Sequence, residues 1–217
     1  MNLEFTQFSP DSLFIESIRN FPLLLYTYNN GLIIGMNAVF NKNLTPNNAK
    51  HISLLKVYAE ESGLLAGALF YEQTRNGKYL SNLYRFFKLD VEFKHIVAYK
   101  KSSLHMRAFV GAGLALSTAS RRGQVTLPFF KSYMAGGPNS MRGWPIRKLG
   151  IGSNIFYDTV ANGTFNDKYA DMQLEGNLEY RFNLFQFYGF WMRGAVFTEI
   201  GNIWFRNDLD GSLKNAG

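Results

Sequence analysis

Apolar and polar residues alternate with a period of two along several segments of this 217-residue chain. In Leu104–Leu116, leucine, methionine, alanine and valine take every second position, while histidine, arginine, phenylalanine and glycine take most of the others. Phe87–Val97, Met172–Phe182 and Trp191–Trp204 alternate in the same way. Because successive side chains of a strand point to opposite faces of a sheet, this pattern predicts an all-β fold.

The length of these segments and the composition of their second face narrow the prediction. Several run for about 9–13 residues, which is longer than the usual strand of ~5–6 residues and close to the ~9–11 that cross a bilayer as a tilted barrel strand. The second face carries charges of both signs together with glycines, as the polar interior of a transmembrane barrel does. Further strands are predicted at 21–28, 32–41 and 51–60, the first two joined by a hairpin at Asn29–Gly31.

The connections also differ in length. Lys100–Ser103 is a tight turn, whereas 61–83, 117–141 and 150–170 are long, and Ser62–Phe70 has the composition of a short helix within a loop. Short turns at one rim and long loops at the other are typical of outer-membrane barrels. The hairpin at Asn29–Gly31 does not fit this order, since it falls on the long-loop side.

Composition argues against several functional classes. The net charge of +7 is spread along the chain without a basic stripe, so we expect no nucleic-acid partner. The absence of cysteine excludes disulfides and thiolate sites, and His51, His95 and His105 are too dispersed to suggest a metal site. Gly111-Ala112-Gly113 lacks the third glycine and the helix of a dinucleotide fingerprint. We therefore expect no catalytic residues, no cofactor, no metal and no enzymatic activity.

One loop stands out by its chemistry. The stretch from Tyr133 to Pro145 is made mostly of small, apolar and aromatic residues around a single cation, Arg142. An isolated Arg-Gly is most often exposed to solvent, but an enclosed arginine needs carboxylates directed at it. Glu179 and Glu199 lie on the polar faces of consecutive predicted strands, so both can face one guanidinium, whose planar fork serves two acceptors.

Three segments resemble the BamA/TamA group of outer-membrane β-barrel proteins, also called the bacterial surface antigen family. They are GGPNSMRGW (136–144), LEGNLEYRF (174–182) and AVFTEIGNIW (195–204), and the resemblance covers roughly 105–204. It implies that Met141, Arg142, Gly143 and Trp144 form the tip of the sixth extracellular loop, which folds back into the barrel. The implied acceptors of the arginine are Glu179 and Glu199, and Gly136, Gly137 and Gly143 would allow the tight backbone path. The chain departs from the family pattern in having Glu199 where aspartate is usual and Met141 where valine or isoleucine is commoner.

The resemblance also implies an architecture. The family barrel has sixteen strands, of which residues 1–217 would supply about seven, the seventh to the thirteenth, with a long inserted loop at about 117–170. The periplasmic POTRA domains and the last strands would lie outside this segment.

The implied function is assembly and insertion of outer-membrane proteins by an integral protein of a bacterial-type outer membrane. The implied partners are outer-membrane lipids, unfolded outer-membrane protein clients and accessory lipoproteins or periplasmic proteins. Two alternatives stay open. One is a related two-partner-secretion-type pore, which shares the loop motif but exports a polypeptide through the lumen, and which upstream domains would distinguish. The other is a surface β-sandwich adhesin, in which protein would cover Leu104, Leu114, Leu174 and Leu178.

Overall fold

The computed structural model describes residues 2–6, 11, 13, 16, 31–46, 50–69, 83–117, 127–152 and 168–206. Within these ranges seven strands form one antiparallel sheet in chain order. The strands are β1 (Asn2–Thr6), β2 (Gly31–Asn43), β3 (His51–Ser62), β4 (Arg85–Ala98), β5 (Ser102–Ser117), β6 (Met172–Phe187) and β7 (Phe190–Trp204). A short helix, α1 (Leu64–Leu69), follows β3, and a 3-10 turn spans Phe129–Lys131. The all-β prediction is confirmed.

The predicted strands from residue 32 onward are present, and most extend beyond their predicted ends. The helix predicted in Ser62–Phe70 is present as α1. No helix in the described ranges is both long and apolar enough to cross a membrane.

The pairing at the start of β2 differs from the hairpin predicted at Asn29–Gly31. Strand β1 occupies one edge of Gly31–Gly35. On the other edge, the amides of Gly63 and Tyr84 donate to the carbonyls of Ile34 and Leu32. The predicted partner strand, 21–28, lies outside the described residues. Strand β1 could not be predicted from the sequence, because five residues are too few to show a period.

Because β1 is the strand that precedes β2, short and long connections alternate along the chain. The segments 44–50, 99–101 and 188–189 are short and lie at one end of the sheet. The segments 7–30, 63–84 and 118–171 join the strands at the other end. Because β1 precedes β2, the connection that contains Asn29 is a long one on the long-loop side, and the inconsistency in the predicted order disappears.

The two faces of the sheet have opposite chemistry. The strand register places charged and amide side chains from β3 to β7 on one face, here called the polar face. Its members include Glu60, Lys88, Asp90, Glu92, Arg107, Gln173, Glu175, Asn177, Glu179 and Glu199. The opposite, apolar face carries large aliphatic side chains, several of which are exposed, such as Leu114 at 36% and Ile200 at 78%, while Val97 is buried. Of the four leucines that the sandwich hypothesis would cover with protein, Leu114, Leu174 and Leu178 are exposed, contrary to that hypothesis, and Leu104 is partly buried.

The connection between β5 and β6 returns across the polar face. Its residues Tyr133 and Ala135 are buried and make isolated bridges to Ala170 and Leu149. They belong to one apolar cluster with residues of the sheet. The cluster comprises Ile33, Tyr84, Phe86, Ala115, Leu127, Tyr133, Ala135, Ile151, Ala170, Ile203 and Phe205. The loop is therefore part of the core.

Two glycines of β5 make room for this loop. A Cβ atom on Gly111 would lie 2.3 Å from Cε1 of Tyr133, and one on Gly113 would lie 2.3 Å from Cδ1 of Leu127. Any side chain at these positions would collide with the loop. The glycines of Gly111-Ala112-Gly113 thus permit close packing against the polar face.

We predict that Gly111→Ala lowers the unfolding temperature of the full-length protein in detergent micelles. The added methyl group overlaps the Tyr133 ring, and such overpacking costs roughly 1–3 kcal/mol. The control is Ala112→Val, which adds two methyl groups to the exposed apolar face and should leave the unfolding temperature nearly unchanged. Equal effects of the two substitutions would show that the loop does not pack on Gly111.

Candidate functional site

The loop tip is a tight turn that depends on two glycines. Gly136 and Gly137 have φ of 109° and 88°, in the left-handed region that side chains rarely adopt. A Cβ on Gly136 would also lie 2.1 Å from the carbonyl oxygen of Pro145. The turn closes where the Gly137 amide donates to the carbonyl of Trp144 at 2.8 Å. Gly143 differs, because its φ is ordinary and a Cβ there would meet open space. The expectation that Gly143 is needed for the backbone path is therefore wrong.

Arg142 lies between the two predicted carboxylates. Its Nε donates to Oε1 of Glu199 at 2.6 Å, and its Nη1 donates to Oε2 of Glu179 at 2.5 Å. The Arg142 backbone amide donates to the other Glu199 oxygen at 2.6 Å. Glu199 thus accepts two hydrogen bonds from one residue of the loop.

The surroundings of Arg142 strengthen these contacts. Its guanidinium carbon stands 3.9 Å from the ring centroid of Phe197, which lies on the polar face of β7. Hydrogen bonds from Arg142 to Glu199 and then to Glu179 raise the pKa of the guanidinium, so it stays charged at any accessible pH. The carboxylate side chains are only 6% and 12% exposed for Glu199 and Glu179, compared with 31% for Arg142. Such well-shielded carboxylates depend on a cation more than surface groups do.

Met141 and Trp144, the large side chains on either side of Arg142 and Gly143, differ in their exposure to solvent. Met141 is 4% exposed, and its Sδ would lie 3.2 Å from a Cβ placed on Gly201 of β7. Trp144 is 49% exposed. The tip therefore buries its aliphatic residue against β7 and leaves its aromatic residue open.

A second ionic cluster lies beside the tip, on β4, β5 and β6. Arg107 donates to Glu92 at 2.6 Å and to Glu175 at 2.7 Å. Glu175 is buried and also accepts hydrogen bonds from Ser140 of the loop and from Gln173, the latter at 2.6 Å. We name this set the Glu175 cluster. It ties the loop to the sheet independently of Arg142.

A third set of contacts holds the stem of the loop, near β3 and β4. Lys131 pairs with Glu60 at 2.7 Å, and the Tyr133 hydroxyl donates to Asp90. Lys88 donates to the Lys131 carbonyl at 3.1 Å and stands 4.1 Å from the centre of the Tyr133 ring. Burial and the neighbouring Asp90 raise the pKa of Tyr133, so its hydroxyl keeps the proton that it donates.

A family model described as the Omp85 superfamily domain matches residues 64–216. The chain belongs to the Omp85 superfamily. Its members are outer-membrane proteins of a family that inserts or translocates proteins, and the BamA/TamA resemblance lies within it. No curated protein sequence matches the chain. The matched region includes the loop tip and both of its acceptor strands.

Within the described part of this Omp85 chain, no group of three or more His, Asp or Glu residues could hold a metal ion. Every buried side-chain nitrogen or oxygen there has a hydrogen-bond partner. The ion pairs and hydrogen bonds of the polar face attach the loop to the strands.

Sequence reasoning identified Arg142, Glu179 and Glu199 but missed the Glu175 cluster. Glu175 stands four residues before Glu179, so it shares the polar face of β6, and Arg107 appeared on the corresponding face of β5. That signal existed in the alternation. No feature of the sequence indicated that Ser140 takes part, because the conformation of a loop determines which of its hydroxyls reaches the sheet.

We predict that Arg142→Ala destabilises the protein less when Glu179 and Glu199 have already been changed to glutamine. The arginine stabilises chiefly through these two carboxylates, and directly coupled residues show interaction energies of about 0.5–3 kcal/mol. Free energies of unfolding in urea for the four members of the cycle measure the coupling. The free energy of unfolding of Arg142→Lys should fall between those of the wild type and Arg142→Ala, because an ammonium group cannot reproduce the planar, two-pronged hydrogen bonding of a guanidinium. Strictly additive losses would contradict the contact.

We also predict that Glu175→Gln destabilises the protein more than Glu92→Gln, although both acids pair with Arg107. Glu175 is buried and accepts from three residues, whereas Glu92 is partly exposed and accepts from Arg107 and Lys94. Loss of a buried acceptor costs about 1–3 kcal/mol. Urea unfolding of the two variants gives the order, and the reverse order would place the main anchor of Arg107 at Glu92.

Proposed function

We propose that this chain is a segment of the transmembrane barrel of a BamA/TamA-type Omp85 protein, which assembles outer-membrane proteins and inserts them into the membrane. Support comes from the superfamily match and from the three motifs that resemble this group. The anchoring of Arg142 between Glu179 and Glu199 adds to that support.

The sheet has the properties that a lipid-facing barrel wall requires. Strands β5, β6 and β7 contain 16, 16 and 15 residues, enough to cross a bilayer at a tilt. Their apolar face is exposed, as a face turned to lipid is. Within the described sheet, β1 and β7 each pair along one edge only, and an open edge in a bilayer leaves backbone groups without partners. Further strands of the same protein would complete a sixteen-stranded barrel, with the polar face turned to the lumen.

The packing of the loop favours insertion over export as the activity of this barrel. Tyr133, Ala135, Met141 and Ile151 of the loop are all buried against the polar face. A polypeptide exported through the lumen would have to displace this loop, expose its apolar residues and break all three sets of ionic contacts. A client that enters the membrane beside the barrel wall leaves the loop in place. The buried packing of the loop is the observation that supports an insertase over a two-partner-secretion-type pore in this proposal.

In this proposal the chain acts as a scaffold and needs neither a cofactor nor an enzymatic step. Arg142, Glu179 and Glu199 form a latch that keeps the loop in the lumen and braces β6 against β7. The partners are outer-membrane lipids, unfolded outer-membrane proteins and accessory lipoproteins or periplasmic proteins.

We expect the full-length protein, reconstituted in phospholipid vesicles, to accelerate the folding of a urea-unfolded outer-membrane barrel protein. Folding is followed by the change in gel mobility of unheated samples. Vesicles that contain a barrel protein of another family serve as the control for bilayer defects. Folding no faster than in the control, together with transport of an added polypeptide into the vesicles, would contradict insertion and favour export.

A further inference from the structure

The fold gathers positive charge at the end of the sheet where the short connections lie. The stretches around these connections, 40–54, 93–106 and 180–198, contain seven lysines and arginines and no aspartate or glutamate. The seven are Lys42, Lys50, Lys94, Lys100, Lys101, Arg181 and Arg193. The rest of the chain carries as many cations as acids, so these stretches account for the whole net charge of +7. We call the seven residues the cationic end.

Part of this charge lies on the inner side of the sheet. The strand register places Lys94, Arg181 and Arg193 on the polar face, which also carries the loop. Lys100 and Lys101 lie on the connection between β4 and β5, where both are exposed. The cationic end therefore combines residues of the rim with residues of the polar face.

The cations present their charge to solvent, whereas the acids next to them do not. Lys94 pairs with Glu92 at 3.1 Å, and Arg181 pairs with Glu179. The side chains of Lys94 and Arg181 are 47% and 56% exposed, compared with 18% and 12% for the two glutamates. Arg193 is exposed and has no ion pair with any residue that the structure describes. Each of these cations keeps N–H donors that an incoming anion can use.

A cavity of about 270 Å³ borders on two of these cations. Lys94, His105 and Arg181 of the sheet line it, together with Asn139 and Arg142 of the loop. The two glutamates of the latch line it as well, but each already pairs with Arg142. A water molecule takes up about 30 Å³ in the liquid, so the cavity has room for an acidic side chain. Lysine and arginine donors form their strongest hydrogen bonds with such a carboxylate.

We propose that the cationic end binds an acidic polypeptide segment of a periplasmic protein, and that one carboxylate of this segment enters the cavity beside the loop tip. The inference rests on the proposed function, because that function places the short connections in the periplasm and turns the polar face to the lumen. Charge complementarity selects an acidic occupant. The position of Lys94, Arg181 and Arg193 selects a polypeptide over a lipid surface, since a bilayer contacts the outside of a barrel wall and an extended chain can enter its mouth.

Binding of an octaglutamate peptide that carries tetramethylrhodamine tests this proposal. Fluorescence anisotropy is measured with the full-length protein in phosphatidylcholine nanodiscs, and octaglutamine with the same dye is the control for uncharged contacts. Lys94→Gln and Arg193→Gln each remove one charge from the polar face. Lys42→Gln is the matched control, because it removes one exposed charge from the apolar face of β2.

We expect octaglutamate to bind more tightly than octaglutamine, and its binding to weaken as salt is added, because exposed ion pairs are screened. Lys94→Gln and Arg193→Gln should each raise the Kd for octaglutamate about two- to five-fold, which is the effect of losing one such pair. Lys42→Gln should leave the Kd unchanged. Equal binding of the two peptides would overturn the inference, and so would equal effects of Lys42→Gln and the two polar-face substitutions.

Two further measurements separate the alternatives. If octaglutamate does not bind, and the wild type retains more phosphatidylglycerol through purification than the double variant Lys100→Gln, Lys101→Gln, the cationic end serves a lipid surface and the inference is wrong. The folding assay of the proposed function is run on the same protein. Accelerated folding without peptide binding contradicts this inference alone, whereas peptide binding without accelerated folding contradicts the proposed function.

Discussion

Glu179 and Glu199 stand on neighbouring strands with their carboxylates turned toward the same space, largely shielded from water. Two such carboxylates repel one another unless a cation lies between them, and their own strands supply only Arg181, which reaches Glu179. The cation that reaches both belongs to the loop. The ionic balance of β6 and β7 therefore depends on Arg142, and the position of the loop depends on these two strands. The loop and these two strands stabilise each other.

Two further sets of contacts extend this dependence along the loop. Near the tip, Glu175 accepts a hydrogen bond from Ser140. At the stem, Glu60 accepts one from Lys131 and Asp90 accepts one from Tyr133. Between them, Gly136 and Gly137 allow the chain to turn back in little space. The acceptors lie on three different strands, β3, β4 and β6, so the loop braces the polar face across most of its width.

The sequence revealed the strands and the main contact because both follow simple rules. Alternation marks each long strand, and residues on one face of consecutive strands become neighbours, which is how Glu179 and Glu199 could be paired with Arg142. The rules failed where geometry depends on more than local pattern. Asn29-Asn30-Gly31 has the composition of a hairpin, yet the strand that pairs with the start of β2 is Asn2–Thr6, and even the closest pair, Thr6 and Gly31, is twenty-five positions apart along the chain. The bulge at Asn183–Phe185 likewise left no sign in the alternation, although it shifts the pairing of β6 with β7.

A cryo-electron microscopy reconstruction of the full-length protein in lipid nanodiscs would show the loop, the polar face and the lipid boundary together. The structure described here predicts density for Arg142 between Glu179 and Glu199 inside a closed barrel, with Leu174 and Leu178 turned to lipid. A loop that lies outside the barrel, with the two glutamates separated from Arg142, would contradict the latch. Protein density covering Leu174 and Leu178 would contradict the transmembrane wall.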